Sequence, residues 1–406
     1  MSDLKRVHGG VVAPKGFRCA GVSCGIKTAV GAPDIGLIVS DVPARAAAVF
    51  SRNRVASHTK AVNRARLRRA LHRGIVVNAG NANTCTGPGG LTDARRMAAL
   101  AGECTGAGPR DFLVASTGII GRPLPMPKVE AGIVAAAVAL GRTRRHGADF
   151  ARAIMTTDTV PKSCAVEIRV GKTPVRIGGA AKGAGMIAPN MATMLAFVAT
   201  DASVAKPMLQ RLLSEAADLT FNRLTVDGDC STNDTLSVFA NGAAGNAPIT
   251  KAGASCNAFR RGLLAVCETL VKALAADGEG ATKRIEVRVT GGRSRSEADR
   301  VARAIANSPL VKTAVHGCDP NWGRIVCAAG YAGVPFEPNR LALWLEDVQL
   351  VSGGMPADYR EEDAAAVMER PEFQIRLEVG DGPGSAVFWS SDLSYDYVKI
   401  NADYRT

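Results

Sequence analysis

The stretch Lys182-Gly-Ala-Gly-Met-Ile-Ala-Pro-Asn-Met-Ala-Thr193 puts a threonine directly after a small residue, behind a glycine-rich bend and ahead of an apolar run. A chain can cut itself at such a place. Attack of Thr193 Oγ on the carbonyl of Ala192, an N-to-O acyl shift and hydrolysis would leave a new chain that starts with Thr193. Nucleophile and base would then share one residue. A free α-amine has a reference pKa of about 7.7 to 8.0, so near neutral pH a useful fraction is unprotonated and accepts the hydroxyl proton. Threonine paired with its own amine is a known way of activating a weak hydroxyl nucleophile, and it needs no histidine.

Working outward, other polar and glycine-rich segments punctuate the chain in order. They are Val-Val-Asn-Ala-Gly-Asn-Ala-Asn at 76–83, Ser-Thr-Gly-Ile-Ile-Gly at 116–121 and Thr-Thr-Asp-Thr-Val-Pro-Lys at 156–162. Further on come Val-Asp-Gly-Asp-Cys-Ser-Thr-Asn-Asp-Thr at 226–235, Gly-Glu-Gly-Ala-Thr-Lys at 278–283, Asp-Pro-Asn-Trp-Gly-Arg at 319–324 and Ile-Asn-Ala-Asp-Tyr-Arg-Thr at 400–406. Together with 182–201 they resemble the signatures of the ornithine acetyltransferase family, also called glutamate N-acetyltransferase. Eight such segments in order, from about Gly16 to the last residue, make the resemblance specific.

At 406 residues the chain is too long for one ordinary core, so two or more core-forming units are expected. Hydrophobic residues make up 47% but aromatics only 5%, and 43 glycines favour cores of small and β-branched side chains. The longest apolar stretches fall short of the roughly 20 residues that a membrane-spanning helix needs. Asp3, Lys5 and Arg6 at the start, without an apolar segment behind them, predict a cytoplasmic protein. Ten scattered cysteines without a Cys-x-x-Cys pair read as free thiols, and five dispersed histidines argue against a metal site.

The net charge of +13 raises nucleic-acid or membrane binding. The densest basic runs, at 63–73 and 142–145, are short and carry no interleaved aromatics, and they read as solvated helix faces or loops. Neither partner is expected. Steering of anionic substrates is the milder consequence.

Short apolar runs at 38–40, 74–77, 112–115, 164–170 and 194–199 read as strands. Apolar spacing of three and four predicts helices over 128–140, 207–219, 258–276 and 296–307. The mixture lacks strict βαβ alternation and predicts an α+β fold of layered sheets covered by helices. A glycine-rich turn at 276–281 ahead of an alternating strand at 283–290 suggests a structural seam. In the resembled family the chemical boundary is elsewhere, with an α chain over 1–192 and a β chain over 193–406.

Several tempting motifs fail on context. The segment from Gly183 to Ala188 fits a relaxed dinucleotide fingerprint, but Pro189 breaks the helix that should follow. Asp227-Gly-Asp-Cys-Ser opens like a calcium loop, yet Val238 stands where the bidentate glutamate belongs.

The resemblance implies a self-cleaving N-terminal-threonine acyltransferase. Thr193 would be the nucleophile, Ala192 and Thr193 would flank the cut, and Thr117 Oγ1 with the Gly118 N–H would form the oxyanion hole. Losing one such donor typically costs about 2.7 to 4 kcal/mol of barrier. Thr156, Lys182, Thr193, Glu279, Asn401 and Thr406 match substrate-binding positions. Lys182 suits the substrate carboxylate and Glu279 a substrate amine. Asp158, Asp319 and Arg324 are read as structural, through buried ion pairs. Two departures from the family pattern, at Thr84 and at Ser51, are read as not touching the acyl site.

The implied reaction moves an acetyl group from N-acetylornithine to glutamate through an acetyl-threonine ester, within arginine biosynthesis and without metal or organic cofactor. Acetyl-CoA is a further donor in some members. The implied assembly holds two α and two β chains. An N-terminal-nucleophile amidohydrolase or aminopeptidase of similar architecture is the alternative enzyme, separated by whether water or glutamate captures the acyl group. A basic nucleic-acid-binding protein is the non-enzymatic alternative.

Overall fold

The computed structural model describes residues 4–188 and 194–403, so Ala192, Thr193 and Thr406 lie outside the described residues. Strands β1 (Lys5–Val7), β2 (Phe17–Val22), β3 (Ile35–Phe50), β4 (His72–Asn81), β5 (Phe112–Ile119), β6 (Lys162–Val170), β7 (Thr173–Lys182), β8 (Leu195–Thr200) and β9 (Thr235–Ala240) join one sheet. Among the described residues it has nine strands, in the order β1-β6-β7-β8-β9-β3-β4-β5, with β2 also on β3.

The long β3 makes this sheet into two layers. Its first part pairs with β2 and β4, its last part, from Arg45 to Phe50, pairs with β9, and the register breaks between Val39 and Ala44. The sheet therefore bends back on itself. Side chains alternate across a strand, so β8 sends Leu195, Phe197 and Ala199 into the space between the layers and Ala196 and Val198 to the outside. From the other layer Ile38, Ile75, Val77, Leu113 and Ala115 meet them.

Helices close the outer faces. Between the strands lie α1 (His58–Arg66), α2 (Gly87–Cys104), α3 (Met126–Val138), α4 (Arg144–Ala153), α5 (Lys206–Leu219) and α6 (Ala254–Ala276). Leu209, Leu212, Leu213 and Ala216 on α5, with Phe259, Leu263, Val266 and Leu270 on α6, recur at three and four and bury against β6–β9. Each such leucine is worth about 1.5 to 3 kcal/mol of burial. In the same way α2 and α3 cover β3–β5 through Met97, Ala101, Val129 and Ile133. The result is helix, sheet, sheet, helix, an α+β fold of layered sheets covered by helices.

After α6 the chain builds a second sheet from β10 (Arg284–Gly291), β11 (Ala342–Leu345), β12 (Val348–Ser352), β13 (Met355–Pro356), β14 (Glu372–Glu378) and β15 (Gly382–Ser391). Its order is β13-β12-β11-β14-β10-β15. Helices α7 (Arg295–Asn307), α8 (Pro309–His316), α9 (Trp322–Gly330) and α10 (Glu361–Met368) share a separate core with it. The described residues end in α11 (Tyr395–Asp403), none of whose residues is buried. Among the described residues no helix is long and apolar enough to cross a membrane.

All the runs read as strands lie in strands, and the four periodic segments lie in α3, α5, α6 and α7. Asp158 is a buried partner of Lys162 at 2.6 Å, as expected. Asp319 and Arg324 are not in buried ion pairs: Asp319 is exposed and accepts the Asn321 amide, while Arg324 donates to the Leu310 carbonyl at 2.9 Å. They fix the turn that enters α9.

His72, at the start of β4, is 1% exposed. Burial, with Lys206 and Arg69 adding positive charge, lowers its pKa from 6.5 to about 4. Between these values the unfolded chain binds a proton that the folded chain refuses, so stability falls as pH drops from about 6.5 to about 4. We expect a loss of roughly 2 to 3 kcal/mol over that window. In urea unfolding as a function of pH, His72→Gln should flatten this slope; an unchanged slope would exclude His72 as its source.

Candidate active site

The antiparallel partners β7 and β8 bring Lys182 opposite Leu195, so the stretch 183–194 is the connection between neighbouring strands. On the other side β8 runs parallel to β9, with Leu195 beside Thr235. Three strand ends thus converge beside Met194. Met194 N–H donates to Asp234 Oδ1 at 3.2 Å.

A cavity of about 250 Å³ opens beside this point, lined by Thr117, Gly118, Thr156, Lys182, Glu279 and Asn401 among others. Every site residue expected from the sequence that lies within the described residues borders it. Thr193 and Thr406 lie outside them.

Thr117 and Gly118 end β5, which runs parallel to β4. Gly118 has φ +128°, and a Cβ there would stand 2.3 Å from the Gly80 carbonyl carbon. Only glycine fits. Lys182 Nζ lies 3.5 Å from Thr117 Oγ1, long for a hydrogen bond. Burial lowers the Lys182 pKa, and Asp158 is the strongest of the charges that resist the change.

Asp158 organises the floor. Its Oδ1 accepts from Lys162 Nζ and from Gly183 N–H, each at 2.6 Å, and its Oδ2 accepts from Thr156 N–H at 3.0 Å. Burial pushes the carboxyl pKa up, but the charges of Lys182 and Lys162 and the Gly183 bond outweigh it and leave it below the ordinary carboxylate value. Asp277, at the end of α6, takes the second bond from Lys162 at 2.5 Å and holds Thr159.

Glu279 follows from that helix end. Its backbone N–H donates to the Ala184 carbonyl at 2.8 Å, and Asn401 Nδ2 on α11 donates to Glu279 Oε2 at 2.9 Å. The carboxylate rests against Gly185, where a Cβ would come within 2.2 Å of Oε2. Gly185→Ala should therefore push Glu279 aside and raise KM for the amine-bearing substrate about tenfold, the loss of one charge-assisted hydrogen bond. Steady-state kinetics test this, and an unchanged KM would show that Glu279 does not take the amine.

Sequence reasoning missed five contributors: Asp227, Asp229, Asn233, Asp234 and Tyr397. Asp227, dismissed with the calcium-loop motif, accepts the N–H groups of Met186 at 2.6 Å and Ile187 at 2.8 Å. It braces the bend before residue 188, where Met186 has φ +56°. Asn233 ties the strand ends together, donating to the carbonyls of Ala82 at 2.6 Å and Ser116 at 2.7 Å. This bond set explains why the segments at 76–83, 116–121 and 226–235 carry so many polar residues. Asp234 is buried, which holds its carboxyl pKa well above the ordinary value. Tyr397 reaches the cavity from α11.

Neither of the two departures lines the cavity, as expected, but both bond to residues that do. Thr84 Oγ1 donates to Asn233 Oδ1 at 2.9 Å, and Ser51 Oγ donates to the Ser231 carbonyl at 2.6 Å, both partners being cavity-lining residues. Each departure lies one hydrogen bond behind the wall.

Lined by Lys182 and by the carboxylates of Glu279, Asp227 and Asp229, the cavity suits a ligand that carries both a carboxylate and an amine. The sequence model of the ArgJ family matches residues 18–406. The chain belongs to the ArgJ family. It is 49% identical to the arginine biosynthesis bifunctional protein ArgJ of Symbiobacterium thermophilum, over 99% of this chain and 100% of that protein. The ArgJ of Geobacter sulfurreducens is 48% identical, over 97% of this chain and 99% of that one. A crystal structure of the ArgJ protein of Bacillus halodurans, 43% identical, superposes with a TM-score of 0.50, and the match takes in 98% of that chain but 51% of this one. That solved ArgJ chain is therefore about half as long.

Proposed function

We propose that this protein transfers the acetyl group of N-acetylornithine to glutamate, giving ornithine and N-acetylglutamate for arginine biosynthesis. The observation that carries the reading is the convergence of Thr117, Gly118, Thr156, Lys182, Glu279 and Asn401, from five separate parts of the chain, on one cavity beside the start of β8. ArgJ relatives named for arginine biosynthesis match nearly the whole chain.

The chain first cuts itself between Ala192 and Thr193. The half-length chain of the Bacillus halodurans relative supports this, since either piece of a chain cut there is close to half of 406 residues. The cut falls between the adjacent strands β7 and β8, whose ladder keeps the two pieces together. Two of each piece form the assembly, in the cytoplasm.

Thr193 Oγ then attacks the acetyl carbonyl of N-acetylornithine while the Thr193 α-amine takes its proton. The Thr117 hydroxyl and the Gly118 N–H hold the oxyanion. The amide C–N bond breaks, the α-amine returns the proton to the departing ornithine nitrogen, and an acetyl ester remains on Thr193. Glutamate's amine attacks that ester by the same steps in reverse. Lys182 receives the substrate carboxylate, Glu279 the side-chain amine of ornithine, and Asn401 and Thr406 close the pocket. Acetyl-CoA is a second donor in this proposal, able to load the same threonine.

Purified protein should acetylate glutamate in the presence of N-acetylornithine, with parallel double-reciprocal lines for the two substrates. Release of free acetate with no N-acetylglutamate would instead make it a hydrolase.

A further inference from the structure

A second cleft, of about 680 Å³, lies over the end of β3 between α1 and α5. Four cations line it: Arg52, Lys60, Arg64 and Arg68. Three of them repeat every fourth residue along α1 and the turn after it, which sets them in one row on one face. Arg64 and Arg68 are exposed, as expected of a solvated face, and they border this cleft. Arg66 and Arg69 turn away and are satisfied, Arg66 by the Phe112 carbonyl at 2.5 Å and Arg69 by Asp111 at 3.0 Å.

Among the described residues Arg52, Arg64 and Arg68 have no carboxylate or carbonyl partner. Lys60 donates to the Ser51 carbonyl at 2.6 Å. Asp218, the one carboxylate among the described lining residues, is engaged by the Asn222 amide at 2.7 Å. Like charges four apart on a helix repel, and Asp218 is a single carboxylate against four cations. An anionic ligand would relieve that excess.

Guanidinium forks match phosphate oxygens, and the volume is that of a small-molecule site. The row of cations is short and lines a concave space, which favours a small ligand over a duplex. We propose that this cleft binds a small molecule bearing two or more phosphate groups, with Arg52, Arg64 and Arg68 on the phosphate oxygens. The site is separate from the acetyl cavity and does not depend on the function assigned to it. The wall between them is thin, because Ser51 lines this cleft and its hydroxyl bonds Ser231 of the other.

Isothermal titration of the full-length protein with inorganic pyrophosphate, ADP and adenosine 3′,5′-bisphosphate tests the assignment. Wild type should bind at least one of them, and the double variant Arg64→Gln/Arg68→Gln should bind it at least about tenfold more weakly. Arg69→Gln, which removes an equal charge outside the cleft, should bind like wild type. Equal melting temperatures without ligand exclude misfolding as the cause. Pyrophosphate binding as tightly as the nucleotides points to phosphate alone as the recognised group, and tighter nucleotide binding to a nucleotide ligand. No binding of any probe at millimolar concentration, an equal loss in Arg69→Gln, or tighter binding to duplex DNA through the same arginines would overturn the proposal.

Discussion

Thr193→Ala is expected to leave a single 42.2 kDa chain where wild type gives two pieces, and to lower acetyl transfer by roughly 10⁴-fold or more. The substitution removes two things at once. Without Oγ nothing attacks the Ala192 carbonyl, and without the cut no free α-amine arises at residue 193 to act as base. The fold should survive, because Met194 and β8 keep their ladders to β7 and β9 and the bond from Met194 N–H to Asp234. Thr193→Ser retains the hydroxyl and should still cut and transfer, at a reduced rate. Denaturing electrophoresis of the three proteins checks this. Wild-type cleavage in the alanine variant would show that another residue attacks.

Asp158→Ala is expected to cost about 3 to 5 kcal/mol and to abolish transfer at ordinary temperature. This carboxylate sits between two buried ammonium groups, bonding Lys162 directly and facing Lys182. Removing it leaves both charges in the interior with one fewer partner, and frees the N–H groups of Gly183 and Thr156 at the edge of the cavity. Asp158→Asn keeps the shape and an acceptor but not the charge, so it should fall between. The sign with pH follows from a carboxyl whose folded pKa is depressed: its stabilisation is present above the ordinary carboxylate range and disappears as pH falls through the folded value. Urea midpoints measure the loss. A change below about 1 kcal/mol would mean that Lys162 and Lys182 find other partners or lose their protons.

Layering was legible because alternation and three-four spacing report burial, and burial dictates layers. Phe197 and Val198 are both apolar, yet they serve different cores, and their neighbours on β8 show the alternation that separates them. The bend of β3 was not legible. Its register break falls at 40–43, in a run that reads like any strand end, and only pairing with both β4 and β9 reveals it.

At the site, the residues that the family resemblance named within the described residues, such as Lys182, Thr117 and Gly118, line one cavity. Residues whose role is to join distant segments were missed. Asn233 bridges Ala82 and Ser116 across more than a hundred residues, and no spacing in a single sequence encodes that. Asp227 looked like a failed metal ligand because a carboxylate that caps backbone N–H groups has the same local pattern as one that holds a cation. Glu279 and the terminal segment read alone as a surface turn and a frayed tail. Their contact through Asn401 on α11 makes them neighbours in the lining of one cavity.

Acid quench after mixing the protein with N-acetylornithine, in the absence of glutamate, followed by intact-mass analysis, tests the acyl route most directly. Transfer through Thr193 predicts one added acetyl group on the piece that begins at residue 193, mapped to its first residue and removed when glutamate is supplied. Transfer that proceeds with no acetylated protein, or with the acetyl group on another residue, would contradict it.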